Sequence, residues 1–478
     1  MGKSKILLVN PSMEELYKNA YVKDSVPNYP PLNLLTIAGG LMEDGHECRV
    51  IDLNMIPQKI MFDEMEKCIM EFKPDVVGIT FTSALYSQCM RTISIVKKLA
   101  PDALILAGGA HASSDATSTL TGTDINIAVM GEGDFTVREI LSGIPLKNVL
   151  GIAYKEDNKV IITPPRPFLK DLDTLPYPTY QLVDIHQYKL PHTFCKANPV
   201  ASFETSRGCV WGCVYCNKSV FGRNFRTKSA ERTVEEIRQL IKFGFKEFHI
   251  SDDMFTTQID RAKKICQMMI DENIKIHWNC TNGIRVDRVD NELFPLMKKA
   301  GCYRVAFGVE SGSQEILNNI DKQQTLDQIR NAFKLAKKAG LERTGFFMFG
   351  MPGEKEEHLK ATIKFAKELR PDIAKFDIMI PLPSTPIYKE WKDKYIITKT
   401  WDEYGFHKGE QVYNHPNLSW ETLKKYYAKA YRSFYLDPRY IFKHAIRSMK
   451  NGNLVKDINL FLKIKWFDDF WQSPKQSS

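Results

Sequence analysis

The chain has 478 residues, 43% of them hydrophobic and 26% charged, with a mean hydropathy of −0.31. That length suggests two to four domains, and the composition excludes disorder, a collagen-like chain and a polytopic membrane protein. The net charge of +9 is too mild to mark a nucleic-acid binder and is mostly local, since residues 391–478 hold 16 Lys/Arg against 9 Asp/Glu. No apolar run reaches bilayer length, and MGKSKILLVN leads into strand-like sequence without a secretory signal, so the expected location is the cytoplasm.

Residues 1–145 alternate short β-branched runs with amphipathic stretches. KILLVN (5–10), ECRVIDL (47–53), DVVGITF (75–81), ALILAGG (103–109) and INIAVMG (125–131) read as strands. Five strands separated by helical patterns predict right-handed βαβ units and a doubly wound parallel sheet. Such sheets bind ligands at the carboxyl ends of their strands. Thr80, Thr82 and Ser83 follow the third strand, Gly108, Gly109 and His111 the fourth, and Gly131, Glu132 and Gly133 the fifth. The rhythm then breaks over a connector, 146–194, with a hairpin about Asp157-Asn158 and prolines at 164, 165, 167, 176 and 178.

A second βα series occupies 195–390, with strands expected at 200–205, 246–252, 275–280, 302–309, 343–349 and 373–380. Six units are too few for a closed eight-strand barrel and predict a partial (β/α)6 barrel. The last segment, 391–478, is helical, basic and aromatic. Residues 421–450 carry 8 Lys/Arg against 2 acids, interleaved with Tyr426, Tyr427, Tyr431, Phe434, Tyr435, Tyr440 and Phe442. The favoured reading is a helix with its aromatic face packed on the barrel and its lysines in water. Peripheral contact with an anionic membrane surface comes second, and nucleic acid last. After an Asn451-Gly452 turn the chain ends in an amphipathic stretch, LVKDINLFLKIKWFDDFW.

Ten cysteines are present; seven are scattered, while Cys209, Cys213 and Cys216 crowd into ETSRGCVWGCVYC at the end of the first strand of the second series. The spacing is C-x3-C-x2-C, with Tyr215 before the last cysteine. Three thiolates on one loop can bind three irons of a 4Fe–4S cubane and leave the fourth open. A structural zinc site would want a fourth Cys or His nearby, and none follows.

On these residues the chain resembles the radical S-adenosylmethionine (SAM) enzymes. FHISDDMFT, AGCYRVAFGVESGS and FFMFGMPGE are similar to the same family. The resemblance implies that the open iron chelates SAM and that a 5′-deoxyadenosyl radical follows from its reductive cleavage. It places Asp252 and Asp253 where the family contacts the methionine amine, Glu310 at a polar contact, and Arg285 opposite the methionine carboxylate. The competing expectation is that Asp253 caps the next helix and that Glu310 and Arg285 form structural ion pairs.

With GGAHASS, GEGDFTVREIL and DLDTLPYPTYQLVD, the first domain and connector resemble the cobalamin-dependent branch of that family. Thr80, Thr82, Ser83, Gly108, Gly109, His111, Gly131, Glu132 and Gly133 would then line the cobalamin crevice. The D-x-H-x-x-G pattern that supplies a lower cobalt ligand is absent, and the first strand is followed instead by Asn10-Pro11-Ser12-Met13. The implied function is methylation of an unactivated carbon or a phosphorus centre of a small molecule or lipid. The implied partners are that substrate and a flavodoxin- or ferredoxin-type electron donor. Oxidative cyclisation, as in the anaerobic porphyrin-ester cyclases, is the alternative on the same scaffold. A methylthiotransferase would need a second cluster, and Cys48, Cys68 and Cys89 fall on one strand and two helices that do not converge. Neither reading assigns a catalytic side chain. Replacing all three triad cysteines with alanine should abolish 5′-deoxyadenosine formation from SAM; unchanged formation would overturn the cluster assignment.

Overall fold

The computed structural model describes residues 2–17, 28–157, 159–282, 284–405 and 411–463. Asn158 of the expected hairpin turn and the end of the amphipathic C-terminal stretch lie outside the described residues.

In the first domain β1 (Lys5–Asn10), β2 (Glu47–Asp52), β3 (Val76–Thr80), β4 (Leu104–Gly108) and β5 (Ile127–Val129) form a parallel sheet in the order β2-β1-β3-β4-β5. Helices cover both faces, which is why the strands read as unbroken apolar runs. Ile6 and Leu8 pack with Leu34, Leu35, Val137 and Ile140 on one side. Leu7 and Val9 pack with Met65, Ile69 and Ile93 on the other. The connector's hairpin, β6 (Ile152–Glu156) and β7 (Lys159–Ile162), adds two antiparallel strands beyond β5. The first sheet thus runs past the expected boundary at 145. The cause is the exposed edge of β5, which a buried Ile152, Ala153 and Tyr154 cover.

The second domain begins with β8 (Val200–Phe203). Two short strands, β9 (Ser206–Arg207) and β10 (Arg226–Thr227), pair antiparallel and pinch off the loop that carries the cysteine triad. The sheet continues with β11 (Glu247–Ile250), β12 (His277–Cys280), β13 (Cys302–Glu310), β14 (Glu342–Phe349) and β15 (Ile373–Ile378). All six main strands are parallel and ordered as in the sequence, β8-β11-β12-β13-β14-β15, which is the partial barrel expected. Phe248 stacks on Trp278 outside the strands, under the surrounding helices.

Such an open barrel leaves β15 as a free edge. The C-terminal segment closes it with tyrosine hydroxyls, not with another strand. In the helix Trp420–Tyr435, the Tyr431 hydroxyl donates to Phe376 O at 3.1 Å and accepts from Phe376 N at 3.2 Å. The Tyr435 hydroxyl does the same at Ala374, at 2.8 and 3.1 Å, and Tyr440 donates to Asp372 O at 3.1 Å. Aromatic residues of the basic tail are therefore consumed in packing, as the favoured reading expected. The segment before them returns to the first domain, where Asp402 accepts from Ser87 N at 3.0 Å and Trp401 packs on His111. None of the described helices is long and apolar enough to cross a membrane.

Replacing Tyr435 with Phe removes one donor and one acceptor from a buried strand edge. We expect a loss of about 1–3 kcal/mol, read as a lower denaturation midpoint with an unchanged slope.

Candidate active site

The triad loop starts immediately after β9 and is shaped by what surrounds it. Gly208 sits at φ +84°, and a Cβ there would lie 2.4 Å from Asn224 O, so only glycine lets the two ends of the loop pass. Cys209 N donates to Gly222 O at 3.4 Å, Cys216 N to Cys213 O at 3.2 Å, and Val214 N to Ile320 O at 3.1 Å. Lys218 reaches back to the carbonyls of Cys209 and Trp211. Cys209 and Cys213 are half-buried and Cys216 is exposed. Among the described residues no three Cys, His, Asp or Glu are gathered as they would be around a single metal ion. A cubane asks for something different, because each of its three thiolates belongs to a separate iron. Thiols on one loop bind metal as thiolates, so bound iron would ionise them. The donor set fits a three-cysteine cluster.

Asp252 and Asp253 follow β11 and hold this loop from beneath. Asp252 is buried; its carboxylate accepts from Thr205 N, Thr205 Oγ1 and Ser206 Oγ, each at 2.6 Å. Asp253 accepts from Gly208 N at 3.2 Å and stays accessible to water. Burial raises the Asp252 carboxyl, most directly opposed by its hydrogen bonds. Asp253 does not cap the next helix, whose first turn follows Gln258.

Arg285 is buried with its guanidinium engaged: it donates to both Asp287 oxygens at 2.8 and 3.2 Å and to the carbonyls of Lys322 and Gln323 at 3.0 and 2.8 Å. It also lies 4.0 Å from the Trp211 ring, inside the triad loop. Glu310 ends β13 at a register shift, in the left-handed region at φ +61°. Its carboxylate pairs with Lys322 Nζ at 2.7 Å, and that ammonium stands 3.4 Å from the Tyr215 hydroxyl. Asp253 and Arg285 therefore touch the triad loop directly, Glu310 reaches it through Lys322, and Asp252 holds the segment that leads into it. Lys322 was not singled out from the sequence; it is one lysine among many until the fold sets it between Glu310 and Tyr215.

The second half of the site is a cleft of about 550 Å³ at the carboxyl ends of the first sheet. Tyr29, Thr80, Thr82, Gly108, Gly109, Gly131, Glu132 and Gly133 line it, and Ser202, Glu204, Arg207, Phe221 and Ser251 close it from the barrel side. At Gly109, φ is +92° and a Cβ would meet Thr80 Oγ1 at 2.7 Å, so the turn brings backbone to the cleft wall where no side chain fits. An apolar floor with a few polar groups at the rim fits a large planar cofactor. Ser83 and His111 lie outside that lining. His111 is fully buried, bonded through Nδ1 to Ser83 Oγ at 2.9 Å and surrounded by Phe81, Tyr86 and Trp401. Burial lowers its pKa to about 4, so it is neutral at physiological pH.

Glu132 joins the two halves. Its carboxylate accepts from Arg207 at 3.0 Å, Arg226 at 2.8 Å and Leu169 N at 3.0 Å. Arg207, two residues before Cys209, also pairs with Asp134 at 2.7 Å and Glu204 at 2.8 Å. On the other side of the loop, Asn217 donates to Ser114 Oγ and Pro383 O, both at 2.8 Å.

The radical SAM superfamily model matches residues 203–366 and the B12 binding domain model residues 19–141. An uncharacterized methyltransferase of Pyrococcus horikoshii is 35% identical over 447 residues, covering 92% of this chain and 94% of that protein. The chain belongs to the B12-binding radical SAM family. The enzyme's cofactors are those of the family: a 4Fe–4S cluster, SAM and cobalamin. Cytidylyl-2-hydroxyethylphosphonate methyltransferase of Streptomyces wedmorensis is 29% identical over 445 residues, covering 81% of each chain. In fold, the enzyme resembles the cobalamin-dependent radical SAM enzyme OxsB with aqua-cobalamin and SAM bound, at a TM-score of 0.73 and 17% identity over 96% of this chain and 72% of that one.

Glu132→Ala would leave Arg207 and Arg226 short of a buried partner. We expect a loss of roughly 3 kcal/mol in global stability by denaturant titration, and a smaller loss for Glu132→Gln, which keeps an acceptor.

Proposed function

We propose that the enzyme methylates an unactivated sp3 carbon or a phosphorus centre of a small-molecule or lipid substrate. The observation that carries this reading is the shared wall: Arg207 and Glu204, on the approach to the triad, line the same cleft as the glycine turns of the first sheet. This supports a reading in which the cobalamin cleft lies beside the approach to the cluster loop. When bound, the cluster supplies an electron to SAM and cobalamin supplies a transferable methyl group, chemistry that no side chain performs.

The chain's own contribution is holding, orienting and shielding. Cys209, Cys213 and Cys216 would hold three irons and leave one for SAM. Asp253 retains acceptor positions for an ammonium group after its bond to Gly208. Asp252, Arg285 and Glu310 act behind it as positioning residues, since their polar atoms are bonded within the protein. Thr80, Thr82, Gly108, Gly109, Gly131 and Gly133 would line the cobalamin. His111 buttresses the turn they stand on, and we assign it no bond to cobalt.

Catalysis requires a reductant, and a flavodoxin- or ferredoxin-type donor in the cytoplasm suits the exposed position of Cys216. Peripheral membrane contact is supported by the last two described helices. Phe442 and Val455 are each 71% exposed and Leu462 74%, beside Lys450, Lys456 and Lys463. Anaerobic purification with iron and cobalt counting, followed by incubation with SAM, reductant and cobalamin, tests the proposal. Bound cobalt and formation of both 5′-deoxyadenosine and S-adenosylhomocysteine are expected. Absence of cobalt after reconstitution would overturn the cobalamin reading, and turnover without S-adenosylhomocysteine would replace methyl transfer by cyclisation.

A further inference from the structure

The inner face of the barrel carries more charge than cofactor binding uses. Along β15 the residues alternate. Ala374, Phe376 and Ile378 are buried outward, where Phe376 packs on Phe347, Phe349 and Phe434 beneath the C-terminal helix. Lys375 and Asp377 face the opposite way, into the lumen, in register with Phe346 and Met348 of β14. Lys375 Nζ stands 5.3 Å from the Phe194 ring centroid and 5.7 Å from that of Phe346, at the floor formed by the connector.

Arg304, Glu247 and His249 at this level are spoken for. Arg304 pairs with Glu342 at 2.8 Å and donates to Thr193 O at 2.9 Å and, at 3.4 Å, to Phe194 O. Glu247 accepts from His249 Nε2 at 2.6 Å and from the Tyr303 hydroxyl at 2.5 Å. His249 is held from the first domain by Tyr29 at 2.6 Å. Lys375 and Asp377 have no hydrogen-bond or ion-pair partner among the described residues. Lys375 keeps open, water-accessible surface inside walls of protein. Desolvation by the surrounding walls lowers its pKa from the ordinary lysine value, against the attraction of Asp377, whereas burial raises that of Asp377 to about 6 against the attraction of Lys375.

An ammonium set between two ring faces, beside a paired arginine and with nothing of its own to bind, is an anion seat. We infer that Lys375 anchors an oxyanion of the substrate, a carboxylate or a phosphoryl-type group, with Asp377 placed two residues nearer the mouth to accept from a donor on the same molecule. This rests on the proposed methyl transfer and adds to it that the barrel lumen receives the substrate. Two strand residues span roughly 7 Å, so an anionic end at Lys375 leaves the reacting atom of an extended substrate nearer the cofactors. The flanking Phe346, Phe194 and Met348 would cover the apolar part between.

The test uses the full chain loaded with iron and cobalt, modified by formaldehyde and a mild borohydride, with each lysine followed by mass spectrometry. Lys375 is expected to be dimethylated, and inorganic phosphate or acetate at four times its dissociation constant should slow that step about fivefold. Sodium chloride at equal ionic strength should not. Protection by phosphate alone marks a phosphoryl-type ligand and protection by acetate alone a carboxylate; both support the inference. Asp377→Asn removes a neighbouring negative charge and should strengthen protection, a direction that simple destabilisation would not give. Lys375→Gln should lose the anion-dependent rise in melting temperature that Lys375→Arg keeps. Modification of Lys375 insensitive to both anions, in protein that has loaded iron and cobalt, would overturn this inference and leave the cofactor reading intact. Protection in protein that cannot load cobalt would do the reverse.

Discussion

One buried guanidinium organises the molecule. Arg207 belongs to the approach to the cysteine triad, yet two of its three carboxylate partners, Glu132 and Asp134, belong to the first domain. Placing five charged side chains in a nearly dry contact is costly, and a hydrophobic contact of equal size would hold two domains together at least as well. What the ionic version adds is direction. A guanidinium has a fixed fork, so the first residues of the triad loop are set at one distance and one angle from the glycine turn that ends the first sheet. Two cofactors that must exchange groups need that kind of precision more than they need bulk affinity.

The same division of labour recurs one layer out. Asp252 fixes Thr205 and Ser206, Asp253 fixes Gly208, Asn217 ties the far end of the loop to Ser114, and Arg285 supports Trp211 from below. Glu310 adopts a left-handed backbone conformation in order to meet Lys322 and, through it, Tyr215. A loop of eighteen residues between β9 and β10 would be slack if left alone. Here its geometry is fixed from several sides.

The sequence carried the local information faithfully. Continuous apolar runs announced strands covered on both faces, and the C-x3-C-x2-C spacing announced the cluster loop, because both depend on neighbours close in the chain. The partner choices were not legible. Asp252 reads as a ligand-facing carboxylate in SDDMF until Thr205 and Ser206, 47 and 46 residues earlier, are seen to occupy it. Glu132 reads as one more polar residue of a glycine turn, and its role appears only with Arg226, 94 residues on. The aromatic tail shows the same limit. Tyr431 and Tyr435 alternate with lysines as they would on a lipid or nucleic-acid surface, and only the sheet order reveals the bare edge of β15 that their hydroxyls satisfy.

That edge also explains why the tail exists in this form. A six-stranded barrel open between β15 and β8 has two free rims, and the two are treated differently. Beside β8 lies the first domain, whose cleft takes Ser202 and Glu204 as part of its wall. Beside β15 lie tyrosines, which supply donors and acceptors without adding a seventh strand. Another paired strand would have extended the sheet and drawn its inner face toward closure, filling lumen space with side chains as a closed barrel does. Hydroxyl capping satisfies the edge from outside and leaves the inner face of β15 free, which is where Lys375 and Asp377 stand unpaired. The barrel's openness, the aromatic tail and the vacant charges of the lumen are consequences of a single choice of edge.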